Sequence, residues 1–321
     1  MNNTRIPVIV IFAPTASGKT ALTKELFCKS GSHFILNAEI VSADSQAVYK
    51  EMDIGTAKPD ADLCKELPHH LINLVEPDVQ FTVADFVTAA DKACQEIFAR
   101  GKIPVVCGGT GFYIRCFLYG LPVTPESNPQ IREQIKNRLE KEGNEALYAE
   151  LQVIDPQSAA VISQNDAYRI CRALEVFYTT GKTRSSYRLE NELREKFDFT
   201  FIVLQPPRDL LYKRIGERVE KMFEAGLEEE IHKLVSAGYN KTSPGMKAIG
   251  YSEWFTEDGK IADDKSAVRE AIIHHSCKYA KKQFTYIRDI PGSIIIPFCA
   301  TNEDVEKVAK TIKLRYDNNR L

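Results

Sequence analysis

The sequence has no apolar run near the roughly 20 residues that a helix needs to cross a bilayer, so no transmembrane helix is expected. Its amino-terminal apolar run, residues 7–12, has a single Arg5 before it and turns into a glycine loop rather than a cleavage site, which is not a signal-peptide pattern. A cytoplasmic protein is the expectation. Cysteine pairs are missing too. The eight cysteines stand at 28, 64, 94, 107, 116, 171, 277 and 299 with no Cys-x-x-Cys among them, and most sit in apolar stretches. That suits reduced, buried thiols better than a disulfide framework or a zinc site. His274, His275 and Cys277 have no fourth ligand nearby in sequence, which argues against a zinc centre there. Positive charge is not in excess: 42 Lys and Arg face 44 Asp and Glu, a formal charge of −2. Non-specific coating of nucleic acid is thereby disfavoured, whereas a local basic surface on an acidic body is still allowed. There is no internal repeat, no low-complexity tract, and no Asn/Thr-Lys-x-Asp element with which a GTPase switch would read its base.

What is present is ordinary globular material. The 321 residues are 44% hydrophobic and 27% charged, enough for one large core or two smaller ones. Residues 7–12 are continuously apolar, as in a parallel strand buried on both faces. Residues 19–30 predict a helix with Leu22 and Leu26 one turn apart, stopped at Gly31. Residues 40–43 predict a second strand, and Thr82 with Asp85 resembles a capping box opening a helix that ends at Gly101. Residues 103–107 predict a third strand, entering Gly108-Gly109-Thr110-Gly111. Strand, helix, strand, helix in that order predicts a parallel sheet with covered faces. From about Leu121 the texture changes. Pro122, Pro125 and Pro129 punctuate a linker, residues 131–188 read as helical almost throughout, and residues 199–204 return to strand character before Pro206-Pro207. Long helices are predicted at 208–224 and 265–287.

Ala13-Pro14-Thr15-Ala16-Ser17-Gly18-Lys19-Thr20 lies between the first strand and helix and matches the P-loop pattern from Gly18 onward. In such a loop successive backbone N–H groups and the helix amino end cradle phosphate oxygens. Lys19 adds charge, and Thr20 offers its hydroxyl to magnesium or phosphate. The pattern expects glycine where Ala13 stands; a methyl fits there only at negative φ and turned away from the phosphates. Gly181-Lys182-Thr183 repeats the tripeptide, but after a helical stretch, residues 168–180, with Ile170, Leu174 and Phe177 at apolar spacing. There Gly181 reads as the glycine that follows a helix end, with Lys182 favoured near the negative pole. The first copy is assigned to phosphate and the second to chain geometry. The expected fold class is α/β: a P-loop NTPase-like parallel-sheet core from residues 1–120 and 199–321, with a helical insertion domain at 121–198.

P-loop proteins include kinases, switches and group transferases, so the loop alone names no reaction. Ser42-Ala43-Asp44-Ser45-Gln46-Ala47-Val48-Tyr49-Lys50-Glu51-Met52-Asp53-Ile54-Gly55-Thr56-Ala57-Lys58-Pro59, taken with residues 13–20, resembles the tRNA dimethylallyltransferase family. Gly108-Gly109-Thr110-Gly111, Asn165-Asp166 through Ala173-Leu174-Glu175-Val176, Gly181-Lys182-Thr183, Ile249-Gly250-Tyr251 and residues 280–283 extend the match in order over residues 8–288. Nothing after Arg288 suggests the zinc finger of some eukaryotic relatives, so the bacterial type is expected. The resemblance implies transfer of the dimethylallyl group of dimethylallyl pyrophosphate to the exocyclic amine of the adenosine 3′-adjacent to the anticodon in tRNA, with release of pyrophosphate. It implies that residues 13–20 hold the donor's pyrophosphate, with magnesium (Mg2+) at Thr20, that Asp44 is the general base and that Arg218 helps to hold pyrophosphate. The helical insertion domain is implied to contact tRNA. Further tRNA contacts are implied at Asp44, Ser45, Gln46, Ala47, Thr110, Arg132, Tyr168, Arg169, Ile170, Cys171, Arg172, Lys247, Ile249, Gly250 and Tyr251. The chain departs from the family in having Ala47 where glutamine is common, Cys277 for arginine and Tyr286 for tryptophan. No obligate protein partner is implied, and a monomer is expected.

The chemistry makes sense of these residues independently. An adenine amine is a poor nucleophile because its lone pair is delocalised into the ring, so a carboxylate that takes its proton as the bond forms is a natural base. Asp44 follows the second predicted strand, facing the same crevice as the phosphate loop; a turn-forming aspartate is the alternative. In residues 208–224, Leu211, Ile215, Val219 and Met222 make an apolar stripe while Arg214, Arg218 and Lys221 share another face. That face serves the leaving group or is a solvated face paired with Glu217 and Glu220. Between Gln164 and Arg188 stand Arg169, Arg172, Lys182, Arg184 and Arg188 against Asp166 and Glu175, a local basic excess. Lys278, Lys281, Lys282 and Arg288 among Tyr279, Phe284 and Tyr286 suit a nucleic-acid edge and an amphipathic helix docked on a core equally. Two other functions stay open: prenyl transfer to a free adenine nucleotide, and a P-loop nucleotide-binding protein or kinase.

Overall fold

The computed structural model describes residues 5–121, 125, 127–187, 192–287, 290 and 292–318. Pro122, Arg188 and Arg288 lie outside the described residues, as does the side chain of Tyr286. The chain divides into two compact units, one of Met1–Leu118 with Arg194–Leu321 and the other of Tyr119–Leu193.

The first unit is built on a six-stranded sheet in the order β3 (His69–His70), β2 (Ala38–Ser42), β4 (Ile103–Gly108), β1 (Ile6–Phe12), β5 (Phe197–Gln205), β6 (Ile294–Pro297). Every pairing is parallel. β1 is central, and its last five residues are all buried, which is why its sequence is a continuous apolar run rather than an alternation. Phe12 pairs with Gly108, and Ser42 with Cys107, so the carboxyl ends of β1, β2 and β4 finish nearly level. Their three following loops therefore emerge together, the place where open α/β sheets bind ligands.

Helices α1 (Lys19–Phe27), α2 (Ala61–Glu66), α3 (Val83–Ala99) and α4 (Gly111–Tyr119) follow in the first half of the chain. The capping box of α3 is complete, with Asp85 N–H donating to Thr82 Oγ1 and Thr82 N–H to the Asp85 carboxylate. α1 is shorter than the apolar spacing suggests. It closes at Phe27, with Cys28 already extended, and Gly31 is not its end signal. Gly31 is needed for another reason: a Cβ there would lie 2.4 Å from the Glu25 carbonyl oxygen, where the chain folds back on the helix.

The second unit holds α5 (Pro129–Ile154), interrupted at Gly143, then α6 (Pro156–Ala159) and α7 (Ala167–Thr180). Its small core comprises Ile135, Leu147, Leu151, Ile162, Ile170 and Leu174 among others. Glu175 is buried there and accepts from Ser127 Oγ (2.6 Å) and Asn128 N–H (3.0 Å) while pairing with Arg172 (2.9 Å).

The first unit resumes with β5, then α8 (Arg208–Glu224), α9 (Leu227–Ser236), α10 (Lys265–Ile287), β6 and α11 (Asn302–Asn318). The stripe read on α8 is buried: Leu211 and Ile215 pack with Ala280 of α10, while Val219 and Met222 join a second cluster around Tyr251 and Trp254. The adjoining face of α8, with Arg214, Arg218 and Lys221, lines a cavity at the carboxyl ends of the strands together with Ile215, Val219 and Met222. No helix among the described residues is long and apolar enough to cross a membrane.

Candidate active site

The phosphate loop leaves β1 at Phe12. Ala13 N–H donates to Gly108 O (3.2 Å), tying the loop to β4. Ala13 is fully buried, is not at positive φ, and its methyl belongs to the apolar cluster under the sheet. Alanine is accommodated at a glycine position because its methyl points into the core. The sharp turns fall at Ala16 (φ 57) and Gly18 (φ 93); a non-glycine residue in that region is strained by about 1–2 kcal/mol, a cost commonly found at functional loops. Ser17 is buried and its Oγ has no partner among the described residues. Lys19 Nζ donates to two carbonyls of its own loop, Ala13 O (2.9 Å) and Pro14 O (2.8 Å). Burial pushes Lys19 down to about 8; Cys107 and Asp44 act in the opposite direction, and Arg218 adds to the lowering.

The loops after β1, β2 and β4 open on a cavity of about 650 Å³. Its lining carries Lys19, Lys58, Arg214, Arg218, Lys221 and Lys247 against the carboxylates Asp44 and Glu217, an excess of positive charge that suits a polyanion. Asp44 Oδ1 accepts from Gln46 N–H (2.9 Å), closing an Asx turn. Its other oxygen takes no hydrogen bond from the described residues, so the turn occupies one oxygen of the carboxylate and leaves the second without a protein partner. Thr110 Oγ1 accepts from Ser45 N–H (3.0 Å) and Thr110 N–H donates to Ala43 O (3.1 Å), clamping the two loops together. Gly108 is required at that seam, since a Cβ would lie 2.1 Å from Ala43 O. Arg218 Nη2 donates to Thr56 O (3.4 Å); burial lowers its pKa from the usual arginine range and Asp44 opposes the shift. Tyr279 of α10 is pushed up to about 12, by burial first and then by Asp44, and is a neutral hydroxyl at physiological pH.

The wall formed by residues 53–59 is held by a network that runs from the partly buried Glu230 to the surface. Glu230 of α9 accepts from the N–H groups of Asp53 (2.9 Å), Ile54 (2.9 Å) and Gly55 (3.2 Å) and from the Tyr251 hydroxyl (2.6 Å). Lys58 Nζ donates to Tyr49 O, Asp53 Oδ1 (2.8 Å) and Asn73 Oδ1 (2.6 Å). Gly55 leaves no room for a side chain beside Tyr251, since a Cβ would come within 2.4 Å of its ring. On the other side Gln283, itself buried, accepts from Thr15 N–H (3.1 Å) and donates to Gly109 O (2.7 Å), bridging the phosphate loop and the loop after β4.

No group of three or more His, Cys, Asp or Glu side chains able to hold a metal occurs among the described residues. Thr20 and Asp44 both line the cavity. One or two protein oxygens of that kind, completed by substrate phosphates and water, fit the way proteins hold magnesium.

The sequence profile of IPP transferases matches residues 47–290. The chain belongs to the IPP transferase family. This IPP transferase is 40% identical over 290 residues to the tRNA dimethylallyltransferase of Bacillus subtilis, covering 90% of each chain. It is 39% identical over 304 residues to that of Geobacter sulfurreducens, covering 94% of this chain and 95% of the relative. Among solved structures, the tRNA isopentenylpyrophosphate transferase of Bacillus halodurans matches with a TM-score of 0.68 at 30% identity over 98% of both chains. A eukaryotic dimethylallyltransferase acting on tRNA matches with a TM-score of 0.78 at 27% identity, over 98% of this chain and 80% of that one. The fold is accordingly α/β of the P-loop NTPase-like type.

In this IPP transferase the cavity gathers Thr15, Ala16, Ser17, Gly18, Lys19 and Thr20, together with Asp44, Ser45, Gln46, Ala47, Arg218, Lys247, Ile249 and Gly250. Arg132, Tyr168 and Arg169 are exposed on the second unit, where Arg169 pairs with Asp166 (3.1 Å). Other positions expected to contact tRNA have enclosed side chains. Ile170 and Tyr251 are fully buried, Cys171 is partly buried, and Tyr251 is committed to Glu230, so neither Ile170 nor Tyr251 presents a side chain to a macromolecule. Arg172 is committed to Glu175 and to Pro125 O (2.8 Å). Glu230, the bridging contacts of Gln283 and those of Arg214 escaped the sequence reading. Gln283 had a signal only as the last residue of the 280–283 stretch that extends the family resemblance.

Proposed function

We propose that this chain transfers the dimethylallyl group of dimethylallyl pyrophosphate to the exocyclic amine of the adenosine 3′-adjacent to the anticodon of tRNA, releasing pyrophosphate, as a single chain in the cytoplasm. Its eight free cysteines suit that compartment. The observation that carries the reading is the placing of a phosphate loop and a free carboxylate oxygen on one cationic cavity in a chain related to tRNA prenyltransferases. The amine nitrogen attacks the allylic carbon, the carbon–oxygen bond breaks with its electron pair leaving on pyrophosphate, and Asp44 takes the proton from the amine. Lys19 exchanges its bonds to Ala13 O and Pro14 O for phosphate oxygens, and Ser17 Oγ gains the partner it lacks. Arg218 and the loop amides stabilise the charge that develops on the leaving group. Thr20 would help to hold magnesium, which when bound would add to the neutralisation of that charge. Thr110 and the loop of residues 44–47 line the place of the flipped adenine, and exposed Arg132, Tyr168, Arg169 and Lys247 meet the RNA backbone and bases.

The test is direct. Labelled dimethylallyl pyrophosphate is incubated with the protein and either unmodified tRNA or AMP. Label is expected in tRNA, on the adenine following the anticodon. Label appearing in AMP instead moves the protein to the free-nucleotide class, and label in neither abandons prenyl transfer.

A further inference from the structure

Arg214 stands one helical turn before Arg218 on α8 and lines the same cavity. Its Nη2 donates to Cys299 O (2.7 Å). Its Nη1 is buried and has no hydrogen-bond partner among the described residues. A guanidinium nitrogen enclosed without an acceptor is unfavourable, and an incoming ligand atom is a common reason for it to persist. The cavity's excess of cations makes that atom an anionic oxygen.

The Cys299 carbonyl that holds Arg214 is itself held. Residues 298–301 form a short strap between β6 and α11. Phe298 anchors it in the sheet core, and Asp304 in the first turn of α11 accepts from Cys299 N–H (2.7 Å) and Thr301 N–H (3.2 Å). Ala300 takes the left-handed conformation (φ 62) between them. The strap lies against the phosphate loop, for a Cβ on Gly18 would sit 3.3 Å from Ala300 Cβ and 3.6 Å from Phe298 Cε1. One short segment thus touches the loop and, through a single carbonyl, aims the arginine.

We propose that Arg214 is a second anion-binding arginine of the site, its free Nη1 donating to an oxygen of the donor's pyrophosphate, and that the strap of residues 298–301 sets its position. This rests on reading the cavity as the pyrophosphate site. Arginine is suited to the task because its planar fork reaches a fixed carbonyl with one nitrogen and a ligand with the other, which a lysine cannot do.

The experiment titrates the full chain calorimetrically with inorganic pyrophosphate, comparing the parent with Arg214→Ala, Arg214→Lys, Asp304→Ala and Lys19→Ala, and checks each variant's melting. Arg214→Ala is expected to weaken binding by roughly 10- to 100-fold, the usual loss for a hydrogen bond to a charged group. Arg214→Lys should recover only part of it. Asp304→Ala, which touches no ligand, should weaken pyrophosphate binding several-fold while tRNA affinity stays the same. Parent-like affinity in Arg214→Ala, with Lys19→Ala weakened, overturns the proposal and leaves the phosphate loop intact. If Lys19→Ala also binds like the parent, the reading of the cavity falls with it. Should Arg214→Ala fail to fold, Arg214→Gln decides: it keeps an N–H for Cys299 O but no charge, and parent-like affinity in it equally overturns the proposal.

Discussion

Two Gly-Lys-Thr tripeptides sit at opposite poles of helices: residues 18–20 open α1, and residues 181–183 follow α7. Both glycines are left-handed, with φ of 93 and 71. A methyl added at Gly18 would meet the strap at 3.3 Å, whereas one added at Gly181 would find nothing within 4 Å. The Lys19 ammonium is enclosed and pushed down to about 8; Lys182 is exposed, its N–H bonded to Thr180 Oγ1 (3.2 Å). Thr20 lines the cavity, while Thr183 Oγ1 bonds to Ser185 Oγ (3.1 Å). Helix polarity accounts for the divergence. A helix start presents unpaired N–H groups that attract phosphate, and a helix end presents carbonyls that repel it.

The comparison breaks most visibly at the carboxylate that only the first copy has across its cavity. Asp44→Asn is expected to lower turnover by roughly 100- to 10,000-fold, with affinities for tRNA and donor nearly unchanged. Single-turnover transfer at increasing magnesium checks this, and a rate restored by magnesium would make Asp44 a metal positioner instead of a base.

Next comes the lysine itself. Lys19→Ala should cut kcat/KM by roughly 100- to 1,000-fold, in line with the loss of an electrostatic stabiliser in an enclosed site. Lys182→Ala should leave it nearly unchanged. Equal losses in the two variants, both folded, would erase the distinction drawn between the copies.

Proton linkage sharpens the contrast. Lys19 is partly neutral near pH 8, and a bound polyanion raises its pKa, so pyrophosphate binding should take up protons there and weaken as pH rises. Calorimetry in buffers of different ionisation heat measures the uptake, which should vanish in Lys19→Ala and persist in Lys182→Ala. The stability sign is opposite: because burial depresses Lys19 in the folded state, its unfavourable contribution fades as pH rises from about 8 toward the unfolded value.

The glycines give a smaller effect. Gly181→Ala should cost about 1 kcal/mol of stability, from backbone strain in open space, and leave activity intact. Gly18→Ala carries the same strain plus the crowding of Ala300, and should lose donor binding as well. Melting curves with parallel activity assays separate the two. Smallest of all, Arg169→Ala should flatten the salt dependence of tRNA binding by at most about one unit of slope, since Arg169 is already paired with Asp166. Arg172→Ala should instead destabilise the protein, because it strips the buried Glu175 of its cation.

Much of this architecture was written locally. The apolar run of residues 7–12, the Thr82–Asp85 capping box, the stripe on residues 208–224 and the helix-ending Gly181 each depend on neighbours within a turn or two, so the chain order alone determined those elements and the phosphate loop that follows the first of them. Distant arrivals decided the rest. Ala13 is tolerated because the sheet core receives its methyl, and Asp44 keeps one oxygen without a protein partner because the other closes a turn. Glu230 organises a wall 175 to 177 residues away, Gln283 reaches back 268 residues to Thr15, and Arg214 is aimed by a carbonyl 85 residues further on. A buried polar side chain is satisfied by whichever backbone folds against it, and no periodicity records which one that will be.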